Sequence, residues 1–302
     1  MFLSLHIWNH IRETYVTNTP IVLLGRAGTT FTYRAYSRIA PLFGAPALNG
    51  RIIEATENPD ILEALRHNPD AFGLIAVETQ AKGRIVDSLE AFDSLGTRYS
   101  GDHPIRIIGG AKMPLWFALM TNGIRFDEIE GVVAHEQALE ACKELIKRYD
   151  WKKEKSTSNG QAAADVKSVP RLAKFAALGP IEAAHHFKLT VVDEHFQSGV
   201  TTFFLLTSGT TPVRTGPYNR ALVTFGTRGG AGALHDATEP FKRYDVNMIY
   251  LHSVHRGNGK YGFVTEVECT SEQLEQTKLG LEALREITED CAIFGPFAVT
   301  NL

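Results

Sequence analysis

The segment Pro20-Ile21-Val22-Leu23-Leu24-Gly25-Arg26-Ala27-Gly28-Thr29-Thr30-Phe31 indicates the fold class of this chain. Its apolar run, residues 21–24, stops at a glycine-rich turn, and residues 33–42 follow with apolar side chains at helical spacing. A buried strand, a glycine turn and a helix in this order are typical of the first unit of an α/β sheet. The segment therefore predicts that the chain opens with a strand of such a sheet.

The same alternation continues beyond this segment. Residues 72–77 and 105–108 form further strand-like apolar runs, and residues 131–133 precede a predicted helix over 136–149. Strands that alternate with helices predict a mostly parallel sheet with both faces covered, and the length allows two lobes with a cleft between them. Because ligands of open α/β sheets bind where the carboxyl ends of strands meet loops, we expect the site there. The charged stretch 152–158 is predicted to be a solvated loop.

A change in composition marks the start of a second unit. Residues 207–217 are rich in Ser, Thr, Gly and Pro, which favour turns and extended backbone. The strand and helix patterns that follow lie at 221–225, 233–244, 247–254, 261–269, 272–287 and 292–297. Their order is β-α-β-β-α-β, which predicts a ferredoxin-like domain. Pro240 lies in the first predicted helix of this domain, and its missing N–H should kink or shorten that helix.

The composition excludes several classes of protein. With 44% hydrophobic and 22% charged residues, the 302-residue chain has the composition of a soluble globular protein with two or three packed units. Its net charge of -3 provides no general attraction for nucleic acid or anionic lipid, so we expect no nucleic-acid and no membrane partner. Residues 1–8 are apolar but too short to span a bilayer, and they lack the features of a signal peptide. We expect a cytoplasmic protein that acts on a small molecule.

The sequence predicts neither a metal nor an organic cofactor. Cys142, Cys269 and Cys291 show no CxxC spacing and no histidine-rich surroundings, so we expect reduced thiols. The histidines at 235, 252 and 255 are scattered over a predicted turn and sheet, which is more typical of surface or packing positions than of a metal site.

Three segments resemble the prephenate dehydratase family. They are the opening segment 20–31, the segment Gly73-Leu74-Ile75-Ala76-Val77-Glu78-Thr79-Gln80-Ala81-Lys82-Gly83, and Gly199-Val200-Thr201-Thr202-Phe203. Residues 133–139, 158–163 and 176–184 are similar to further segments of that family in the same order. The resemblance implies an N-terminal arm (1–19), a bilobal periplasmic-binding-protein-like catalytic domain (20–207), a linker (208–218) and an ACT domain (219–302) with the ferredoxin-like fold.

The resemblance also implies a reaction and a set of site residues. Members of this family are lyases that remove water and carbon dioxide from prephenate to give phenylpyruvate, on the route to phenylalanine. Thr201, which would face the leaving hydroxyl, and Glu78 are the implied catalytic residues. The implied substrate-binding residues are Arg26, Gly28, Thr29, Thr30, Thr79, Gln80, Gly83, Ser158, Asn159, Thr202 and Phe203.

One of these residues departs from the family pattern. The family carries Thr-Arg-Phe where this chain has Thr201-Thr202-Phe203, and threonine cannot form the paired charged hydrogen bonds of arginine with a carboxylate. Losing such a contact in a buried site should weaken prephenate binding by roughly tenfold to a hundredfold. Candidate replacement cations are Arg26, Lys82, Arg84 and Lys112, and backbone amides of the first glycine turn offer another anion contact.

Two other functions remain open at this point. A relative that decarboxylates prephenate without forming an aromatic ring, or that acts on another cyclic acid or thioester, would explain the lost arginine, although the retained Thr201 favours dehydration. A two-lobed cleft followed by an ACT domain is also the architecture of a ligand-binding sensor without catalysis.

The second unit has its own predicted ligand and partner. Gly232, Ala233 and Leu234 resemble a phenylalanine-binding turn of the family. Ser253 belongs to a second segment that accompanies this turn in the family's effector site. That segment is Glu-Ser-Arg-Pro in the family and His-Ser-Val-His here, at residues 252–255, which argues for weakened control by phenylalanine. We expect a homodimer or homotetramer with this domain at the interface, and an amino acid as its effector.

Overall fold

The computed structural model describes residues 19–98, 104–209 and 217–302. The larger of its two sheets is built from β1 (Ile21–Leu24), β2 (Ile52–Ala55), β3 (Phe72–Thr79), β4 (Gly83–Arg84), β5 (Ile105–Thr121), β6 (Gly131–His135), β7 (Lys152–Ser156), β8 (Phe175–Gly179) and β9 (Thr190–Ser208). The strand order is β2-β1-β3-β9-β5-β8-β6-β7, and β4 pairs with β3. The predicted arm and most of the predicted linker, residues 1–18 and 210–216, lie outside the described residues.

Helices connect and cover these strands. They are α1 (Phe31–Ile39), α2 (Asn58–His67), α3 (Val86–Arg98), α4 (Glu136–Ala141), α5 (Lys143–Arg148), α6 (Asn159–Ser168) and α7 (Ile181–Phe187), with short 3₁₀ helices at Ala40–Phe43, Phe126–Glu128 and Pro170–Leu172. The helix predicted over 136–149 is divided at Cys142, whose ψ of 7° departs from helical backbone. Within the described ranges, no helix is long and apolar enough to cross a membrane.

The larger sheet forms two lobes. Strands β1, β2 and β3 pair in parallel in the first lobe, and β6, β7 and β8 pair in parallel in the second. The long antiparallel pair β5 and β9 runs through both lobes, since β9 pairs with β3 at one end and β5 pairs with β8 at the other. In each lobe the carboxyl ends of the parallel strands are followed by helix N-termini, which is the arrangement that positions ligand sites in such sheets.

The stretch 152–158 corrects one prediction. Instead of a solvated loop, residues Lys152–Ser156 form β7, which pairs in parallel with β6 from Gly131 to His135. β7 is the edge strand of the sheet, and lysine-rich sequences are common on edges because they prevent pairing with other chains. The high charge that suggested a loop therefore reflects an edge strand.

The second sheet has the predicted β-α-β-β-α-β order. Its elements are β10 (Arg220–Gly226), α8 (Ala233–Arg243), β11 (Met248–Gly257), β12 (Lys260–Glu268), α9 (Leu274–Ile287) and β13 (Asp290–Phe297). The strand order is β11-β12-β10-β13, all antiparallel, and α8 and α9 pack against one face around Phe225 and Phe241. Of the predicted kink or shortening at Pro240, the shortening does not occur, because helix α8 continues to Arg243. Asp236, whose carbonyl loses its helical donor, is exposed to water.

The other face of this second sheet packs on the first domain. Helix α3 lies between the two sheets, and Phe92 of α3 contacts Phe294 of β13 edge-to-face, with ring centroids 5.1 Å apart. After β13 the chain forms β14 (Val299–Asn301), which pairs in parallel with Gly110 to Lys112 of β5. The two domains therefore share a buried core, and the last strand returns to the larger sheet.

Candidate active site

Two adjoining cavities lie in the cleft between the lobes. The inner cavity has a volume of about 80 Å³ and the outer cavity about 720 Å³. They share Leu24, Thr79, His135 and Gln137 as lining residues. Sites for small molecules usually occupy roughly 300 to 1,000 Å³, so a ligand that enters the inner cavity must also extend into the outer one.

Two threonines form part of the inner cavity wall. Thr201 of β9 is paired across the sheet with Thr79 of β3, and both side chains line the inner cavity. The neighbouring pair is Thr202 and Glu78. Because successive side chains of a strand point to opposite faces, this second pair lies on the far side of the sheet. There Thr202 Oγ1 donates a hydrogen bond of 3.3 Å to Glu78 Oε2.

The far side of these strands faces the second domain. Glu78 lies 3.9 Å from the guanidinium of Arg84, and Arg84 forms an ion pair of 2.6 Å with Glu266 of β12. Burial raises the pKa of Glu266, which is also 3.2 Å from Arg220. An arginine at position 202 would therefore be directed toward Glu78 and not toward the inner cavity. The predicted loss of a carboxylate contact does not follow from the substitution at this position.

Two helices begin at the inner cavity. Helix α1 starts after Thr30, and helix α6 starts after Ser158, whose Oγ accepts a 3.0 Å hydrogen bond from the Gln161 N–H. Both residues line the inner cavity. Helix N-termini present unpaired N–H groups and a partial positive charge, so this wall favours an anionic group without a guanidinium.

The two lobes touch where these helices start. Gly160 lies in the first turn of α6, and a Cβ atom at this position would overlap Oγ1 of the buried Thr29, in the first glycine turn. Glycine is therefore required by the close approach of the turn to the helix. Thr29 lines neither cavity, and its Oγ1 donates to the Arg26 carbonyl at 3.0 Å.

His135 joins the helices of the second lobe. It is the N-cap of α4, its ring Nδ1 accepts a 3.4 Å hydrogen bond from the Gln137 N–H, and its backbone N–H donates to Asn159 Oδ1 at 3.0 Å. Burial lowers the pKa of His135, and the charge of Lys155 lowers it further. The ring is thus neutral near pH 7, and because Nδ1 acts as the acceptor, the ring proton lies on Nε2 as a donor.

The structure brings together part of the predicted substrate site. The predicted residues that line the inner cavity are Thr30, Thr79, Gln80, Ser158, Asn159, Thr201 and Phe203. The predicted site residues that line neither cavity are Arg26, Gly28, Thr29, Glu78, Gly83 and Thr202. Arg26 is exposed, with its guanidinium 5.9 Å from the ring centroid of Phe187. Of the replacement cations considered, Lys82 and Arg84 line the outer cavity, and Lys112 lines neither.

Several cavity residues were missed by the sequence analysis. His135 and Gln137 line both cavities, and Lys155 lines the outer one. His135 is the last residue of β6, so the rule that sites follow strand ends could have identified it. Lys155 could not be found in this way, because its strand was predicted to be a loop.

Three of the four residues predicted to bind an effector lie at exposed positions of the second domain, and Ala233 is half-buried. Gly232 has a φ of 84° and is the N-cap of α8, Leu234 is 37% exposed, and Ser253 is exposed on the edge strand β11. The three scattered histidines have separate neighbours: His235 is 3.2 Å from Asp236, His252 is 3.6 Å from Glu90, and His255 contacts the Tyr261 ring. A search of the described residues finds no group of His, Cys, Asp and Glu side chains that could hold a metal ion.

Comparisons with known proteins agree with this architecture. The family model described as prephenate dehydratase matches residues 21–210. The prephenate dehydratase of Methanocaldococcus jannaschii is 24% identical over 229 residues, which cover 74% of this chain and 80% of that protein. The solved prephenate dehydratase from Arthrobacter aurescens in complex with L-Phe has a TM-score of 0.74 and 23% identity. The superposition covers 93% of this chain and 90% of the Arthrobacter chain.

A second solved structure shows that this fold also occurs with another described activity. GqqA, described as a novel type of quorum quenching acylase, has a TM-score of 0.70 and 18% identity. The superposition covers 92% of this chain and 97% of the GqqA chain. At such identities the likeness concerns the fold, and it confirms the predicted two-lobed domain followed by a second sheet domain. The match of the family model over more than half of the sequence is the more specific finding. The chain belongs to the prephenate dehydratase family.

Proposed function

We propose that this protein is a hydro-lyase that converts prephenate, or an arogenate-like cyclohexadiene acid, into an aromatic product with loss of water and carbon dioxide. Family membership supports the reaction class. The observation that carries the proposal is the position of Thr201, which lines the inner cavity together with apolar residues such as Leu115 and Phe117. A hydroxyl donor in a desolvated cavity suits the departure of a ring hydroxyl.

The reaction needs the substrate in one orientation. The ring carboxylate leaves as carbon dioxide, the electron pair of the broken C–C bond enters the ring, and the hydroxyl at the opposite ring carbon departs with the electron pair of its C–O bond and takes a proton from solvent to become water. We place the hydroxyl at Thr201, which donates a hydrogen bond to the departing oxygen. The neutral His135, with its proton on Nε2, is a second donor in the same wall. The carboxylate end then points toward the outer cavity and the start of helix α6.

Incubation of the protein with prephenate tests this proposal. We expect phenylpyruvate to form at a rate proportional to enzyme concentration, followed by ultraviolet absorbance and identified by mass spectrometry. Arogenate, assayed in parallel through phenylalanine formation, tests the wider substrate class. If neither substrate yields an aromatic product above the rate without enzyme, the proposal is wrong.

One observation favours a second candidate, the decarboxylation of prephenate without loss of water. Among the described residues that line the inner cavity, His135 is the only ionisable one, and its lowered pKa leaves the ring neutral near pH 7, without the second ring proton that an imidazolium acid would give to a leaving hydroxyl. An apolar environment favours loss of a carboxylate, whose charge it solvates poorly. A decarboxylated product that retains the ring hydroxyl would identify this function in the same assay.

For the second domain, we propose an ACT-type regulatory role that rests on its fold. The structure from Arthrobacter aurescens is described as a complex with L-Phe, and we propose an amino-acid effector for this chain at Gly232, Ala233, Leu234 and Ser253.

We also propose domain boundaries near residues 207 and 219, a cytoplasmic location, and a homodimer or homotetramer. Calorimetric titration with L-Phe tests the effector, and light scattering tests the assembly; a monomeric mass would contradict the latter.

A further inference from the structure

We propose that Lys82 and Lys155 bind the carboxylate end of the substrate, and that Glu136 occupies this position in the free protein as an internal competitor. The identity of the substrate in this inference rests on the proposed function. The positions of the two ammonium groups and of the carboxylate between them are independent of the proposed function, because they are features of the structure.

The three side chains form one bridge across the cleft. Lys82 Nζ is 2.7 Å from Glu136 Oε1, and Lys155 Nζ is 2.6 Å from Glu136 Oε2. Lys82 lies between β3 and β4 in the first lobe, whereas Glu136 and Lys155 belong to the second lobe. Each oxygen of one carboxylate therefore has its own ammonium group, which is also the arrangement that a ligand carboxylate needs.

This bridge lies where the ligand has to extend. All three side chains line the outer cavity, which adjoins the inner cavity at Thr79 and His135. The inner cavity, at about 80 Å³, is too small for a ring with two acidic substituents. With the hydroxyl of the substrate at Thr201, the carboxylates at the other end of the ring enter the region of the two lysines.

The local charges favour an exchange of anions. Hydrogen bonds from Lys155 and Lys82 lower the pKa of Glu136 to about 2, so its carboxylate stays charged at neutral pH. The side chains of Glu136 and Lys155 are 51% and 66% exposed, and exposed ion pairs contribute little stability, so an incoming carboxylate can displace Glu136.

The remaining charges of the outer cavity cannot take over this role. Arg84 is paired with Glu266 at 2.6 Å. Among the described residues that line the outer cavity, Lys82 and Lys155 are the other lysine or arginine side chains. Glu57 and Asp87 also line the cavity and repel anions, so the two lysines are needed to offset them.

Three substitutions test the inference. Glu136→Gln removes the competing charge and should lower the KM for prephenate about two- to fivefold without changing kcat. Lys82→Met and Lys155→Met should each raise KM by a similar factor. Glu130→Gln is the matched control, because Glu130 also lies between two lysines of the second lobe, Lys152 and Lys174, but lines neither cavity. Its KM should equal that of the wild type.

Binding of a stable dianion separates this inference from the proposed function. Calorimetric titration with phthalate needs no turnover, and benzamide serves as the uncharged comparison. Tighter phthalate binding by Glu136→Gln and weaker binding by both lysine variants, with benzamide unaffected, supports the inference even if prephenate is not converted. Unchanged or weaker phthalate binding by Glu136→Gln overturns it, even if the wild type converts prephenate.

Discussion

Two neighbouring threonines of β9 have different surroundings. Thr201 lines the inner cavity, whereas Thr202 donates to Glu78 on the face that is turned toward the second domain. The sequence analysis singled out position 202, but the sequence alone does not show which face of the sheet this residue occupies. Strand register determines this, since a shift of one residue exchanges the two faces.

Restoring the family arginine tests this assignment. In the Thr202→Arg variant, we expect the guanidinium to pair with Glu78 and to leave the KM for prephenate within about twofold of the wild type, because neither position 202 nor Glu78 lines a cavity. Steady-state kinetics measure this. A KM lowered tenfold or more would mean that position 202 reaches the substrate.

His135 makes stability depend on pH. Its folded pKa lies below the ordinary value of 6.5, so the unfolded chain binds the proton more readily. The stability that this difference provides is fully present above about pH 6.5 and is lost as pH falls through 6.5 toward the folded pKa. Melting temperatures of the wild type and of His135→Gln, measured from pH 7.5 to 5, should therefore converge as pH falls. A difference that stays constant with pH would contradict the buried, neutral imidazole.

At the level of elements, the helix N-termini and strand ends were the predictable part of the site. The strand-turn-helix pattern of residues 20–42 and the strand before His135 follow from apolar periodicity, and the carboxyl ends of parallel strands meet at one edge. The lysine-rich strand β7 was not predictable in this way, because its stability comes from pairing with β6 and not from its own apolar residues. Lys155 was therefore missed together with its strand.

The contact between the first glycine turn and helix α6 can be tested by adding one methyl group. Gly160→Ala places a Cβ against Thr29 Oγ1 and should destabilise the protein by about 1 to 3 kcal/mol, the usual cost of overpacking. Urea unfolding measures this. The double variant Thr29→Ala/Gly160→Ala removes the overlapping oxygen and should recover part of the loss. Equal stability of Gly160→Ala and wild type would show that the lobes do not approach so closely.

At the scale of the whole molecule, the two domains share one buried core around α3. Arg256 of β11 forms ion pairs of 2.6 Å with Asp93 of α3 and 2.7 Å with Asp290 of β13. The apolar periodicity predicted both sheets, yet it could not predict their contact, because long-range pairing of buried charges leaves no local pattern. The return of β14 to β5 was not anticipated for the same reason.

Removing the guanidinium should weaken the entire protein. The Asp93 side chain is 2% exposed, so Arg256→Met leaves a buried carboxylate without this partner and should cost on the order of 3 kcal/mol in urea unfolding. We expect one transition in both proteins, since the two domains share a core. The control Arg243→Met removes an exposed pair with Glu239 and should change stability by no more than about 0.5 kcal/mol. Two separate transitions in the wild type would contradict the shared core.

The most direct test of the account compares Thr201→Val with Thr202→Val, two isosteric changes at adjacent positions on opposite faces of β9. We measure kcat for conversion of prephenate to its aromatic product. Thr201→Val should lose roughly a hundredfold or more, because a hydrogen-bond donor in the cavity is removed, while Thr202→Val should stay within about twofold of the wild type. Equal losses, or a larger loss for Thr202→Val, would contradict the assignment of the chemistry to the Thr201 face.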